Sequence, residues 1–222
     1  MHRDEKAYKI VVAHPGKQHS FQLAIALKRS GMLYKYITTV YDKPDSLTGR
    51  VKKLLKGKIK NKANTRKSRE LDDDEVLQFD ELKALILIMI SKLPQSDSMW
   101  KKLNGMLADS FGKKVARYAI ENNVDAVICF DSNCTVLFDI LKRKAPYIKR
   151  IMDVSIANRL YMKEQFIADI ERSGQEEIRE EQKYLWNENN CKRFGEEIRD
   201  SQYFIVASNI VKDSLKFSGV KE

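Results

Sequence analysis

Long apolar runs are missing from this sequence. The longest, residues 84–90, has seven residues, whereas a membrane-spanning helix needs about 20. The charged start, residues 1–6, contains no apolar core of the kind that a secretory signal requires. These absences predict a cytoplasmic protein without a transmembrane helix.

Cysteine is scarce as well. The three cysteines, Cys129, Cys134 and Cys191, are an odd number, and their spacing matches no zinc-binding pattern. Cys129 falls within an apolar run, which predicts a small core residue. We therefore expect neither a metal site nor a redox site, in line with a reducing cytosol.

Acidic residues are absent from residues 50–69, which carry ten basic side chains. The other 202 residues carry 31 basic and 31 acidic side chains, so this one segment accounts for the whole net charge of +10. Such a segment can bind nucleic acid or an anionic membrane, or remain solvated. It lacks an aromatic residue on which a base could stack, which favours the membrane. The lysines predicted to face the membrane are Lys52, Lys53, Lys56, Lys58, Lys60 and Lys62.

Short apolar runs alternate with helical patterns along most of the chain. Strands are predicted at residues 9–13, 33–41, 125–130, 147–152 and 202–207. Helices are predicted at residues 20–30, 111–122, 135–144, 156–199 (with a break near Gly174) and 208–219. This alternation predicts an α/β fold, a Rossmann-like three-layer domain with a mainly parallel sheet.

Residues 42–110 do not fit the alternation. They hold the basic segment, an acidic patch and the apolar residues 82–93. We predict a basic, largely helical insertion between the second and third main strands. The apolar residues within it form either a core helix, which is the commoner case, or a helix that lies in a membrane interface.

Polar residues follow three of the predicted strands, at residues 14–19, 131–133 and 153–155. In a parallel sheet the carboxyl ends of the strands meet at one edge, where ligands bind. The first cluster also lies in a strand–glycine turn–helix arrangement, which presents backbone N–H groups to an anion. The three clusters together predict a ligand-binding cleft, although an ordinary turn that binds nothing is the commoner outcome for one such loop.

The residues around this first turn resemble the opening of the bacterial family-4 retaining glycosyltransferases of the GT-B type. The resemblance rests on residues 11–21 (VVAHPGKQHSF) and 33–42 (LYKYITTVYD). The strand and helix at residues 203–220 are similar to those that close the N-terminal domain of that family. Its middle strands match residues 125–133 and 150–155 in position and character.

This resemblance implies that residues 1–222 form a single N-terminal, acceptor-side domain with an insertion at about 42–110. The family moves a sugar from a nucleotide-sugar to a polysaccharide or lipid-linked acceptor with retention, without a metal or other cofactor. The resemblance also implies that the C-terminal donor-binding domain, which would share the nucleotide-sugar, is absent from this chain. The chain alone would then be inactive, and the whole enzyme would serve cell-envelope polysaccharide synthesis at the inner face of the membrane.

The resemblance further implies roles for individual residues. It places Gly16, Lys17, Gln18 and His19 beside the donor diphosphate. For Lys17 the alternative is a solvated loop lysine. For His19 it is a cap on the following helix.

The other implied roles fall on the loops that follow the middle strands. Asp153 lies near the transferred sugar and is the implied catalytic residue, although many relatives carry histidine there; it could equally cap the next helix. Arg159 is an anion contact or a salt-bridge partner of Asp153. The implied acceptor contacts are Asp131, Ser132, Asn133, Ser155 and Arg159. For several of them the alternative is helix capping.

A function of another class remains open at this point. A stand-alone basic α/β module could bind nucleic acid or a phosphate-bearing ligand. A nucleic-acid binder would lose affinity steeply as salt increases, whereas a transferase domain would bind DNA or RNA only weakly.

Overall fold

The computed structural model describes residues 8–16, 19–54, 65–93, 97–181 and 187–221. One sheet of six parallel strands runs through the domain in the order β3-β2-β1-β4-β5-β6. The strands are β1 (Ile10–Ala13), β2 (Leu33–Thr38), β3 (Val76–Gln78), β4 (Ala126–Phe130), β5 (Lys149–Val154) and β6 (Tyr203–Val206). The predicted Rossmann-like α/β fold is confirmed.

Helices connect these strands. They are α1 (Ser20–Arg29), α2 (Leu47–Leu54), α3 (Glu81–Ile90), α4 (Asp97–Glu121), α5 (Thr135–Lys144), α6 (Arg159–Ser173), α7 (Glu177–Glu181), α8 (Glu188–Asp200) and α9 (Asn209–Phe217). The break predicted near Gly174 is confirmed, because this residue ends α6 with a φ of 71°. Such left-handed backbone favours glycine.

The central strands are buried on both faces. All five residues of β4 are buried, as the uninterrupted apolar run of a parallel strand requires. On one face, Val11, Val127 and Cys129 pack with residues of α4 and α5 such as Phe111 and Leu137. The predicted core position of Cys129 is confirmed. The core on the other face contains α1.

The prediction of an insertion between the second and third main strands was incomplete. Residues 42–110 include β3, which pairs with β2 through Tyr36 and Val76, Ile37 and Leu77, and Thr38 and Gln78. This segment therefore adds the edge strand of the sheet and the start of α4. The predicted strand at residues 33–41 is also shorter, since β2 ends at Thr38.

Helix α3 carries apolar side chains on two opposite sides. Ala84 and Leu87 are buried against a small core, which confirms a core role for this side of the helix. Leu82, Ile86 and Met89 recur every three or four residues on the other side, and they are 45% to 66% exposed. Among the described residues, no helix is long and apolar enough to cross a membrane.

A glycine in α2 makes the closest backbone approach. A Cβ added at Gly49 would lie 2.0 Å from the carbonyl oxygen of Lys43, and the backbone cannot yield as a flexible side chain can. We expect Gly49→Ala to lower the free energy of unfolding by about 1–3 kcal/mol through overpacking. Urea denaturation followed by circular dichroism measures this change.

The matched control is Gly105→Ala inside α4, where nothing lies within 4 Å of the added Cβ. This substitution should leave stability unchanged or raise it by up to about 1 kcal/mol, because alanine favours helix. Equal stability of the two variants would contradict the close approach at Gly49.

Candidate active site at the carboxyl edge of the sheet

The strand order reverses between β1 and β4, so the loops that follow these two strands leave the sheet in opposite directions. A crevice between such loops is the usual ligand site of an open parallel sheet. The structure brings the three polar clusters together here. His19 lies 3.1 Å from Asp153, and Ser155 donates a hydrogen bond of 3.0 Å to Asp131.

The β1–α1 loop is held in shape by backbone contacts. The N–H of Gly16 donates to Nδ1 of His14 at 2.8 Å, and a Cβ at Gly16 would approach the same ring to 3.1 Å. The hydroxyls of Thr38 and Thr39 donate to the carbonyl oxygens of Gly16 and Pro15. Lys17 and Gln18 lie outside the described residues.

His14 was not singled out from the sequence, although it belongs to the first polar cluster. It is buried, and its ring packs edge-on against Phe130 with centroids 4.9 Å apart. Because Nδ1 accepts the Gly16 N–H, the neutral ring carries its proton on Nε2. His14 therefore acts as a rigid support for the loop.

His19 and Asp153 form a pair across the crevice. The Nε2 atom of His19 lies 3.1 Å from Oδ1 of Asp153, and the two side chains are 46% and 9% exposed. The imidazole also contacts Phe130, with centroids 5.0 Å apart. His19 precedes α1 but makes no side-chain cap bond. Helix capping, the alternative for His19, is therefore not observed.

Asp153 does not cap a helix either. Asn158 caps α6 by accepting the N–H of Leu160. Burial raises the pKa of the Asp153 carboxyl, while the hydrogen bond from His19 and its charge lower it in part. Asp153 is therefore a buried acid. Among the described residues its side chain is hydrogen-bonded to the imidazole of His19, which is partly exposed to solvent.

The predicted acceptor contacts largely bond to one another. Asp131 is buried and accepts from Ser155, and the amide of Asn133 donates to the carbonyl oxygen of Asp131. The hydroxyl of Ser132 accepts from Arg159 at 2.8 Å. Burial raises the pKa of Asp131, with the Ser155 bond and the charge of Arg159 acting in the opposite direction.

Glu197 occupies the N-terminus of α5. Its carboxylate accepts from the N–H groups of Ser132, Cys134 and Thr135 at 2.8 to 3.1 Å, and from the hydroxyl of Thr135 at 2.9 Å. Burial raises the pKa of Glu197, while these four donors lower it. The protein's own carboxylate thus fills the anion position of this helix.

Sequence reasoning missed Glu197 because it lies in a charged segment, where glutamate is usually solvated. The available signal was its position in α8 on the same side as Phe194 and Ile198, which are buried. A carboxylate within an apolar helix face needs donors from a neighbouring element.

Arg159 does not pair with Asp153 within the described ranges. Its guanidinium donates to Ser132 and, at 3.3 Å, to the carbonyl oxygen of Asn190. It also lies 5.6 Å from the ring centroid of Phe194. The salt-bridge alternative for Arg159 is therefore not observed, and the groups that its guanidinium contacts are neutral, although its charge also acts on Asp131.

The predicted membrane lysines are only partly described. Lys52 is bonded to Asp42, and Lys53 is exposed. The other four, Lys56, Lys58, Lys60 and Lys62, lie outside the described residues. Within the described part of the chain, no group of three or more His, Cys, Asp or Glu side chains is placed to hold a metal ion.

No protein-family model matches this sequence, and neither the curated proteins nor the solved structures give a significant match. The function is therefore argued from the geometry of the crevice and from the chemistry of its residues.

The raised pKa of Asp153 predicts a stability trend. Because the folded protein holds this proton to a higher pH than the unfolded chain, the ionisation of Asp153 costs stability as pH rises through the raised value. Asp153→Asn removes that cost. The free energy of unfolding of the variant, relative to wild type, should rise as the pH increases above about 3.9, the ordinary pKa of an aspartate.

Urea denaturation at several pH values measures the difference between the two proteins. Asp139→Asn, at an exposed ion pair on α5, controls for the loss of one negative charge. A difference that stays constant or falls with pH would contradict the burial of an ionisable Asp153.

Proposed function

We propose that this chain is the acceptor-side, N-terminal domain of a retaining GT-B glycosyltransferase. The enzyme would transfer a sugar from a nucleotide-sugar to a polysaccharide or lipid-linked acceptor. The observation that carries the proposal is the pairing of His19 with Asp153 at the crevice between β1 and β4. It sets a half-exposed imidazole, oriented by a buried carboxylate, at the edge where ligands of parallel sheets bind.

Each residue of the crevice has a part in this proposal. The N–H groups at the start of α1 face the departing diphosphate, whose charge they stabilise, while Gly16, whose own N–H is bonded to His14, shapes the preceding loop. With Nε2 bonded to Asp153, His19 donates from Nδ1 to a phosphate oxygen or a sugar hydroxyl when its ring carries both protons. Asp153 acts through His19 by fixing the orientation of its ring, so its role is to position His19. A second domain would supply the remaining contacts to the nucleotide.

The nucleic-acid alternative has less support. Lys52 is bonded to Asp42, and Lys67 pairs with Asp73 at 2.9 Å. Arg50 and Lys53 of the same segment are exposed and could meet phosphate groups, but residues 50–69 contain no aromatic side chain on which a base could stack.

The transferase proposal is tested with the product of the complete reading frame. Labelled nucleotide-sugars are incubated with this protein and a lipid and polysaccharide extract, and sugar transfer is measured. We expect His19→Ala to lower kcat by about 10²- to 10³-fold, because a hydrogen bond to a charged leaving group contributes mainly in the transition state. Asp153→Asn should reproduce a large part of that loss.

Arg117→Gln, at an exposed ion pair on α4, is the control and should keep wild-type activity. Transfer that is unaffected by His19→Ala, or no transfer with any nucleotide-sugar, would contradict the proposal. Salt-sensitive, tight binding of DNA or RNA in place of transfer would favour the basic binding module.

We also propose that the exposed side of α3, formed by Leu82, Ile86 and Met89, contacts an anionic membrane. Two observations support this contact. Apolar side chains of this kind insert into the boundary between headgroups and acyl chains. The exposed basic residues Arg50 and Lys53 of the neighbouring α2 would attract anionic lipid.

This contact predicts binding to vesicles. The double variant Ile86→Ser and Met89→Ser should bind vesicles of phosphatidylglycerol and phosphatidylcholine about tenfold more weakly than wild type, since it removes apolar area that the membrane would cover. Cosedimentation measures the binding.

Ile210→Ser on α9 is the matched control, because Ile210 is equally exposed (67%) but lies on another element. Equal vesicle binding by the wild type and the double variant would exclude α3 as the contact.

A further inference from the structure

A second cleft opens beside the crevice, on the far side of the β4–α5 turn. It has a volume of about 1050 Å³ and lies between α4, that turn and α8. Pockets of this size take ligands as large as a nucleotide or a disaccharide phosphate. The side chains that matter for the argument are Trp100, Lys101, Lys102, Arg159, Arg193 and Phe194.

The carboxylates that line this cleft are already engaged. Glu197 accepts four hydrogen bonds at the N-terminus of α5. Asp109 accepts from Arg193 at 2.8 Å. Both acids act on the charge of Arg193, and the described hydrogen bonds of Arg159 go to Ser132 and Asn190 instead of to either acid.

Arg159 is the cation most clearly in need of an anion. Its contacts are the hydroxyl of Ser132, the carbonyl oxygen of Asn190 and the ring of Phe194. Its Nε atom is buried without a hydrogen-bond partner. The carboxylate of Asp131 lies near enough for the charge of Arg159 to affect it, but it accepts from Ser155.

Two lysines add to this charge at the entrance of the cleft. Lys101 and Lys102 are exposed on α4, and neither forms an ion pair with a described residue. A guanidinium with free donors matches the geometry of a phosphate group, and flanking ammonium groups raise its affinity. Trp100 and Phe194 add apolar surface to the same cleft.

We propose that this cleft binds the phosphate group of a ligand that also carries an apolar or ring portion, with Arg159 contacting the phosphate and Trp100 contacting the remainder. The identification of this ligand as the acceptor rests on the proposed transferase function. The binding itself does not, because it is measured without sugar transfer.

The test uses two probes and the intrinsic fluorescence of Trp100. The chain has two tryptophans, so Trp186→Phe leaves Trp100 as the only one in every protein tested. The first probe is inorganic pyrophosphate, which stands for a free phosphate. The second is a short-chain, water-soluble phosphatidic acid, which stands for a lipid phosphate. Tighter binding of the second probe would support the part assigned to Trp100, and equal binding of the two probes would overturn that part.

We expect Arg159→Gln to weaken the binding of both probes at least tenfold. The control Arg172→Gln removes a charge at the distant end of α6 and should bind as wild type does. His19→Gln locates the binding, because a loss in this variant alone would place the probes in the crevice.

The double variant Lys101→Gln and Lys102→Gln should weaken binding several-fold. Because both lysines are exposed, this variant keeps the test valid if Arg159→Gln fails to fold, which circular dichroism would show. Binding that is unchanged in the cleft variants, lost equally in Arg172→Gln, lost only in His19→Gln, or undetectable in wild type would overturn the proposal.

Discussion

The carboxylate of Glu197 joins α8 to the turn between β4 and α5, and both proposed sites are built on that turn. A buried charge is costly unless hydrogen-bond donors replace its water, and the free N–H groups at the start of α5 are such donors. One of these donors is the N–H of Ser132, whose φ is 70°. The hydroxyl of Ser132 in turn accepts a hydrogen bond from the guanidinium of Arg159. The position of Arg159 thus depends on a carboxylate from another helix.

The β1–α1 loop is stabilised by other means, since no carboxylate caps α1. His14 accepts a hydrogen bond from the N–H of Gly16, and the hydroxyls of Thr38 and Thr39 donate to carbonyl oxygens of the loop. Phe130 supports both histidines of the loop from β4. At the start of α1, His19 makes no side-chain cap bond, whereas Glu197 fills the start of α5. Glu81 of α3 likewise accepts from the N–H groups of Leu47 and Thr48 at the start of α2.

The sequence allowed the main strands and the common edge of the polar clusters to be predicted, because apolar runs and the geometry of parallel sheets are local or general properties. It did not reveal β3, whose three residues pair with a strand that lies about 40 positions earlier. The partner of Asp153 could not be predicted either, since 134 positions separate it from His19. Glu197 was missed because a helical charge pattern does not distinguish a solvated glutamate from one that meets donors of another helix.

The two buried aspartates raise an electrostatic problem for any phosphate ligand, since like charges repel at close range. The contacts of these acids reduce the repulsion. The hydroxyl of Ser155 donates to Asp131, and Asp153 is bonded to the ring of His19. Both carboxylates are therefore turned toward protein groups, while the guanidinium of Arg159 lines the cleft. In the proposed enzyme, a donor diphosphate in the crevice and a phosphate-bearing acceptor in the cleft would then lie on opposite sides of the β4–α5 turn, each beside donors or a cation.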